Sequence, residues 1–331
     1  MQRGAYVEPS KQTVGDFLKA WLDGCRVRVR PSTWASYRLN VQAHIIPALG
    51  TIPLQSVTAA GLNAFYADLL QAGRVGREGG LSPRTVRYVH TILRRALADA
   101  VRQNRLSRNV ADLADPPPQR GAQAPEMKTW TAGELRAFLD YAADDRLYPA
   151  FLLAATTGMR RGEIAGLRWR DVDLEAGRLA VTQTLISLGN KAAVSTPKTA
   201  KGRRQVALDG STAAVLRAHR RRQVEERLAW GPAYQDGDLV FCREDGTPIN
   251  PALLSERFER LAREADLPRI RFHDLRHTHA TLSLQAGVHP KVVSERLGHA
   301  SVAITLDVYS HAVAGVQEEA AEKVAALVLG S

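Results

Sequence analysis

Two histidines, an arginine and a tyrosine fall within one stretch near the C-terminus, between residues 271 and 311. They are His273, His299, Arg276 and Tyr309. A phenol becomes a nucleophile once its proton is taken, and fixed cations stabilise the charge that develops on a phosphorus centre under attack. The set is therefore suited to attack on a phosphodiester. No member is diagnostic alone, because a tyrosine on a helix is most often half-buried packing.

The overall charge agrees with a phosphodiester substrate. The 331 residues carry a formal net charge of +11, which favours a polyanionic partner, nucleic acid first and an anionic membrane surface second. No apolar run approaches the ~20 residues that a membrane span needs, and the first residues do not resemble a signal peptide. Nucleic acid is therefore the expected partner, without a membrane.

Cofactor chemistry is not indicated by the sequence. Cys25 and Cys242 are far apart and form no C-x-x-C pair, which favours a reducing, cytoplasmic compartment without a structural metal. The histidines form no H-E-x-x-H motif, and no G-x-x-x-x-G-K-[ST] phosphate-binding loop occurs. We therefore expect neither a metal nor a nucleotide cofactor.

Helical periodicity predicts a helical domain over residues 13–114, after a lead-in at 1–12. Its helices are predicted to begin at Thr13, after Pro31-Ser32, near Ala59 and at Ser82. The last of these is the clearest, because a serine N-cap is followed by a proline at the first helical position.

The helix that begins at Ser82 carries arginines beside its apolar stripe. They are Arg84, Arg87, Arg94 and Arg95. Such arginines are also typical of an ordinary solvated face. Because the whole chain is basic, we favour a surface that contacts the DNA backbone.

A proline triplet within residues 115–128 predicts a linker, and a second domain follows at 129–331. An apolar helix over about 147–157 ends at the turn T-T-G. This turn places Arg160 at the start of a new helix, where an anion is favoured, with Glu163 on the same side.

Strand patterns follow in the second domain. They cover residues 178–184, about 191–196, 203–208 and a short run at 239–242. Lys198 lies in the connection between the second and third of these, at the tip of a predicted hairpin. Helices are predicted at 211–228, after Asn250 and, as an amphipathic tail, at 316–329. The predicted fold is mostly α with a small antiparallel sheet.

Five motifs occur in a fixed order: T-T-G-M-R-R-G-E-I-A-G-L-R-W, T-P-K-T, H-D-L-R-H-T, L-G-H-A-S and T-L-D-V-Y-S-H. Together they resemble the tyrosine recombinases of the phage-integrase family, over about residues 131–311. The segment S-T-W-A-S-Y-R-L-N-V-Q-A-H-I-I-P-A-L-G resembles that family's core-site DNA-binding domain. The resemblance implies a SAM-like helical domain followed by an α+β catalytic domain.

Carried over residue by residue, the family's catalytic set falls on Arg160, Lys198, His273, Arg276, His299 and Tyr309, with Glu163 as the supporting acid. The resemblance implies that the tyrosine attacks the scissile phosphate and forms a 3′-phosphotyrosyl link. The two arginines would clamp the non-bridging oxygens. His273 would accept or relay the tyrosine's proton, and His299 would donate to a phosphoryl oxygen.

The general acid for the leaving 5′-oxygen is expected to be Lys198, and spacing leaves Lys201 open as the alternative. Two further histidines in the same stretch, His277 and His279, are expected to pack or cap.

The resemblance implies a site-specific DNA recombinase or integrase that acts on double-stranded DNA with specific core sites. It further implies a homo-tetramer on two paired sites, with a DNA-bending or directionality factor as a further partner, in a nucleoid-associated, cytoplasmic location. There are two alternatives. One is a relaxing enzyme similar to a type IB topoisomerase, with the same nucleophile but no strand exchange. The other is a catalytically inactive DNA-binding regulator, against which the complete catalytic set argues. Only about a dozen residues precede Thr13, whereas many such integrases carry an arm-binding domain there. Either the protein works without arm sites or the chain is shortened.

Overall fold

The computed structural model describes residues 7–118, 128–189, 191–195, 202–309 and 325–329, with only the backbone at 307–309. The chain divides into two compact units, Met1–Glu126 and Met127–Ser331. Helices dominate both units, and short antiparallel strands occur in the second. The predicted fold class is confirmed.

The α-helices of the first unit surround one apolar core. They are α1 (Val14–Cys25), α2 (Pro31–Asn40), α3 (Ile46–Leu49), α4 (Ala59–Ala72) and α5 (Pro83–Arg102). The hydroxyls of Thr13 and Ser82 accept hydrogen bonds from backbone N–H groups in the first turns of α1 and α5, as the sequence predicts. Each cap satisfies a donor that the helix itself leaves without a partner.

The segment after α2 does not continue as a regular α-helix. Residues Val41–Ile45 form a π-helical turn, in which the backbone N–H of Ile46 donates to the carbonyl of Val41. Pro47 has no N–H to offer to a regular helix. The wider turn places this proline in the first turn of α3, where the missing donor costs nothing.

The second unit contains the remaining helices and all five strands of the described residues. The helices are α6 (Ala132–Tyr141), α7 (Tyr148–Thr157), α8 (Arg161–Ala165), α9 (Gly210–Trp230), α10 (Pro251–Glu264), α11 (Asp274–Gln285), α12 (Pro290–Leu297) and α13 (Val302–Tyr309). The strands are β1 (Val172–Asp173), β2 (Arg178–Val181), β3 (Thr184–Leu188), β4 (Lys191–Ser195) and β5 (Arg204–Ala207). Aromatic rings of α6, α7 and α10 meet in its core, with the Phe138 and Phe258 centroids 4.8 Å apart.

The strands form two antiparallel sheets, in the orders β1-β2-β5 and β3-β4. The predicted hairpin around Lys198 is therefore wrong, because the strands on either side of that segment belong to different sheets. Alternation along a strand shows which face is buried but not which strand is its neighbour. Lys198 itself lies outside the described residues.

Two other strand predictions are wrong. The predicted strand at 178–184 is interrupted after Val181, and its end belongs to β3. The apolar run at 239–242 makes only isolated bridges. Side chains of α9 bind carbonyls of this run: His219 Nε2 lies 2.7 Å from the Val240 oxygen, and Gln223 donates to the Leu239 carbonyl. These contacts take the place of a strand ladder.

The predicted tail helix is only partly covered by the structure. Residues 325–329 are helical, and residues 316–324 lie outside the described part of the chain. The full helix stays a prediction.

The turn between α7 and α8 depends on Gly158, which ends α7 with φ +63°. A Cβ there would lie 2.5 Å from Leu297 Cδ2 and 2.8 Å from His279 Cδ2. The turn is therefore closed to any side chain by both its backbone conformation and its neighbours.

We expect Gly158→Ala to lower the free energy of unfolding by about 2–4 kcal/mol, since left-handed strain adds to overpacking. Gly189, with φ +60° and open space where a Cβ would lie, is the matched control. Gly189→Ala should cost only about 1 kcal/mol. Urea unfolding of both variants measures the difference, and equal losses would contradict the packing argument.

Candidate active site

Three turns of the second unit converge on one place: the α7–α8 turn, the start of α11 and the end of α12. Arg276 Nη1 of α11 donates to the Gly158 carbonyl at 2.8 Å. Arg160 Nη2, at the start of α8, donates to the Gly298 carbonyl at 3.3 Å. The residue after Gly298 is His299. The structure thus brings together Arg160, Arg276 and His299, which are separated by up to 139 positions in the sequence.

Arg160 is held by an acid one turn further along the chain. Its Nη1 lies 2.8 Å from Glu163 Oε1, and its backbone N–H donates to Oε2 at 2.9 Å. The Arg160 side chain remains 42% exposed. The guanidinium therefore keeps one side open to solvent at the beginning of a helix, beside the backbone carbonyl of Gly298.

Arg276 is almost completely buried, with 4% exposure. It lies in the first turn of α11, three residues after His273, which occupies the N-cap position. An arginine stays charged at any ordinary pH. Burial thus fixes a permanent positive charge beside the α7–α8 turn.

His299 is half-buried, and its Nδ1 lies 2.8 Å from Thr305 Oγ1 on α13. Its pKa is lowered to about 4, first by burial and then by the charges of Arg276 and Arg160. These charges act on the ring because the side chains are close together. At neutral pH the imidazole is uncharged.

His273 keeps exposed surface on one side, while its ring faces His277 edge-on at 5.3 Å between centroids. Its pKa is lowered to about 4, first by partial withdrawal from water and then by His277 and Arg276. The exposed surface weakens the effect of burial, and the permanent charge of Arg276 acts in the same direction. His273 is therefore also neutral at pH 7.

The site contains one buried arginine that the sequence prediction missed, Arg204 on β5. Its side chain is 7% exposed and binds both oxygens of Glu163, at 3.2 and 2.9 Å. The sequence does contain a signal: Arg204 is two residues from Val206, so alternation places both on the buried face of the strand. Arginines at surface positions are so common in this chain that this alternation was not enough to identify Arg204 as buried.

Glu163 is 3% exposed and accepts hydrogen bonds from both arginines. Burial alone would raise its pKa, but the bonds and charge of Arg204, followed by those of Arg160, outweigh burial and lower the pKa. Glu163 is thus an ionised carboxylate held between two guanidinium groups.

Three predicted site residues cannot be placed by their side chains. Lys198 and the alternative Lys201 lie outside the described residues. Tyr309 is described by its backbone only, as the last residue of α13. That helix begins three residues after His299 and carries Thr305, the hydroxyl partner of the imidazole.

His279, expected to pack, is buried on α11, with its Nδ1 2.9 Å from the Ala155 oxygen of α7. Burial first and the charge of Arg296 second lower its pKa to about 4. A neutral ring between two helices is a packing element.

The α5 arginines of the first unit do not form one uniform surface. Arg84 is exposed, and Arg87 donates to the Pro117 carbonyl at 2.8 Å. Arg94 pairs with Asp112, whereas Arg95 donates to the Tyr37 hydroxyl at 3.0 Å.

A second basic surface was not predicted. The ring of Trp34 on α2 has two guanidinium groups near it, that of Arg38 at 4.8 Å from the ring centroid and that of Arg26 at 5.7 Å. Stacking on the indole orders both guanidinium groups at low entropic cost.

Other kinds of site find no support among the described residues. No group of three or more metal-ligating side chains comes together there. None of the helices described is both long and apolar enough to span a bilayer.

Two family models match the chain. The model of the phage integrase family matches residues 128–315, and that of the phage integrase N-terminal SAM-like domain matches residues 13–70.

Individual relatives cover nearly the whole chain. A tyrosine recombinase XerC-like protein of Caldanaerobacter subterraneus is 28% identical over 97% of this chain and 85% of its own length. The ICEBs1 integrase of Bacillus subtilis is 28% identical over 92% and 81%. Among solved structures, the Tn1549 transposon integrase with circular intermediate DNA superposes with a TM-score of 0.73 at 22% identity, covering 95% of this chain and 99% of that one.

We expect Glu163→Gln to lower the free energy of unfolding at pH 7 by about 3 kcal/mol, because the buried guanidinium of Arg204 and the partly exposed one of Arg160 lose their counter-charge. The folded-state pKa of Glu163 is depressed below its ordinary 4.5. The stabilisation is therefore present above pH 4.5 and is lost as the pH falls through the folded pKa.

Urea unfolding of wild type and variant between pH 3 and 8 tests this expectation. The difference in free energy of unfolding between wild type and variant should narrow below about pH 4.5, because wild type loses the stabilisation from ionised Glu163 there and glutamine does not titrate. Glu175, paired with Arg217 at 3.4 Å and 92% exposed, is the control. Glu175→Gln should change stability by less than about 0.5 kcal/mol. A gap for Glu163→Gln that is independent of pH would exclude an ionised Glu163.

Proposed function

The chain belongs to the phage integrase family, and we propose that it breaks and rejoins DNA by attack of Tyr309 on the scissile phosphate. It is a tyrosine-type site-specific recombinase. In the proposed reaction the tyrosine oxygen forms a 3′-phosphotyrosyl bond as the bond to the 5′-oxygen breaks. A 5′-hydroxyl from another strand then reverses the step. Each transesterification exchanges one phosphoester for another, so no nucleotide cofactor is needed.

The observation that carries this proposal is the convergence of Arg160, Arg276 and His299 beside the start of α13. The helix that follows His299 ends at Tyr309, so a short segment joins the nucleophile to the imidazole that lies beside the two arginines. Fixed positive charges in a partly dry site stabilise a phosphorane far better than solvated ones do.

The two arginines would act on the non-bridging oxygens in different ways. Arg160 keeps 42% of its side chain exposed and can reach a phosphate from its open side. Arg276 is buried and donates a hydrogen bond to the Gly158 carbonyl, so it would act on the phosphate mainly through its fixed positive charge. Paired guanidinium donors match the geometry of phosphate oxygens.

The neutral histidines fit roles in proton transfer and donation. A neutral His273 can accept the tyrosine proton, as its ring carries a free lone pair at pH 7. If the Thr305 hydroxyl donates to Nδ1 of His299, the ring proton is on Nε2 and can be donated to a phosphoryl oxygen. Lys198, or alternatively Lys201, would protonate the leaving 5′-oxygen.

We assign residues 13–114 to the core-site DNA-binding domain, 115–128 to the linker and 129–331 to the catalytic domain. The exposed arginines Arg84 and Arg95, and the Arg26–Trp34–Arg38 stack, support DNA contact by the first domain. For Arg87 and Arg94 the proposal requires exchange of their present partners for phosphates.

The assembly is proposed to be a homo-tetramer on two paired core sites. Lambda integrase has been solved as a tetramer bound to a Holliday junction and shares this fold. A DNA-bending or directionality factor is a further proposed partner, and the proposed location is the nucleoid within the cytoplasm. The strong positive charge of the chain supports both the DNA partner and that location.

We expect wild-type protein to form a covalent adduct with a nicked suicide substrate, and Tyr309→Phe to bind the same DNA without forming the adduct. The reason is that phenylalanine lacks the attacking oxygen. Denaturing gel electrophoresis detects the adduct, and a mobility shift measures binding. Tyr141, an exposed tyrosine of α6, is the control, and Tyr141→Phe should retain the adduct. An adduct with Tyr309→Phe would place the nucleophile elsewhere.

We expect Arg84→Ala to reduce the slope of log affinity against log salt by about 1, because one phosphate contact is lost. The loss should be the same on core-site and unrelated DNA, since backbone contacts carry no sequence information. Arg170, which pairs with Asp238 in the second unit and is not part of the proposed DNA surface, is the control that should leave the slope unchanged. An unchanged slope for Arg84→Ala would remove this residue from the DNA surface.

A further inference from the structure

We propose that Arg204 is a positioning residue for the phosphate clamp, the pair of Arg160 and Arg276 that would bind the scissile phosphate. Arg204 compensates the charge of Glu163, so that Arg160 retains its own charge for DNA. The inference rests on the proposed function, in which Arg160 contacts the scissile phosphate. Arg204 itself is buried and would not touch the substrate.

The geometry is that of one carboxylate shared by two arginines from different elements. Glu163 Oε1 accepts from Arg160 Nη1 at 2.8 Å and from Arg204 Nη1 at 3.2 Å. Its Oε2 accepts from the Arg160 backbone N–H and from Arg204 Nη2, both at 2.9 Å. Every contact of Arg204 to Glu163 is made away from water, while Arg160 is open on one side.

The balance of charge explains why a second arginine is needed. A buried pair of Arg160 and Glu163 alone would be neutral, and the carboxylate would compete with phosphate for the same guanidinium. Adding Arg204 gives the trio a net charge of +1. The uncompensated charge lies at Arg160, the only member of the trio with substantial exposure. The attraction between this uncompensated positive charge and an incoming anion becomes stronger as water is displaced from the site.

Arg204 also reaches the end of α12, which His299 follows by two residues. Its Nε donates to the Arg296 carbonyl. Arg296 in turn donates to the Thr156 carbonyl of α7 and the Ala207 carbonyl of β5. The backbone that carries Gly298 and His299 is therefore fixed to the same arginine that orders Glu163.

The test compares Arg204→Gln with wild type in single-turnover cleavage at saturating protein, on phosphate DNA and on DNA with a neutral methylphosphonate at the scissile position. On phosphate DNA we expect a cleavage rate about 100-fold lower, as for loss of a preorganised charge-stabilising group. On methylphosphonate DNA the deficit should fall below about tenfold, since no anionic oxygen remains to be attracted. Arg204→Lys keeps the positive charge but not the forked guanidinium. Its cleavage rate on phosphate DNA should lie between those of wild type and Arg204→Gln.

A double variant separates charge compensation from packing. Adding Glu163→Gln to Arg204→Gln removes the uncompensated carboxylate and leaves Arg160 charged. The cleavage rate of the double variant, per folded protein as measured by circular dichroism, should exceed that of Arg204→Gln by about tenfold. This comparison uses phosphate DNA only and decides the case even where wild type does not cut methylphosphonate DNA.

The matched control is Arg146, which binds Glu226 through two hydrogen bonds and donates to a backbone carbonyl, that of Cys242. Arg146→Gln removes a similar ion pair from the same unit, at residues without a role in the proposed site. Any loss of cleavage rate in Arg146→Gln should be the same on both DNAs. Adding Glu226→Gln should not restore the cleavage rate per folded protein.

Two results would overturn the proposal. One is a deficit of Arg204→Gln that is equal on both DNAs and matches that of Arg146→Gln. The other is a double variant no faster than Arg204→Gln. Failure of wild type to form any adduct on phosphate DNA would instead refute the proposed function, and the inference with it.

Discussion

The site depends on a buried carboxylate, Glu163, that two arginines share. Ionised side chains are costly to bury unless their charge is compensated and their hydrogen-bonding capacity is filled. Glu163 meets both conditions with Arg160, which follows α7, and Arg204, which begins β5. The same bonds join the helical part of the second unit to its three-stranded sheet. The position of the exposed guanidinium is thus a consequence of satisfying a buried charge.

The turn at Gly158 brings the other half of the site to the same place. Its left-handed backbone allows α7 to end where Leu297 and His279 leave no room for a Cβ. The carbonyl of this residue then accepts the bond from Arg276. A residue without a side chain is therefore needed at this turn, because the backbone oxygen must approach a buried guanidinium closely.

Much of the fold and site could be predicted from the sequence, for local reasons. Thr13, Ser82 and the T-T-G turn are signals that act within a few residues, and each appears in the structure where it was predicted. The partners of β4 and β5 could not be predicted, because pairing is a long-range choice that alternation does not encode. The run at 239–242 was predicted as a strand because its residues are apolar. They are buried in the structure, but side chains of α9, rather than a neighbouring strand, bind its carbonyls. Arg204 was missed because its partner is 41 positions away and its type is common in this basic chain.

The neutral state of the two histidines follows from the same concentration of positive charge. Burial and the guanidinium groups of Arg276 and Arg160 lower the pKa of His299, and His277 and Arg276 act likewise on His273. A phosphate that enters the site brings negative charge, which opposes the effect of the arginines and raises the proton affinity of both rings. The substrate would therefore make His273 a stronger base at the time when a phenol must be deprotonated. The fixed cations thus hold both imidazoles neutral in the absence of DNA, and the negative charge of a bound phosphate would offset part of that effect.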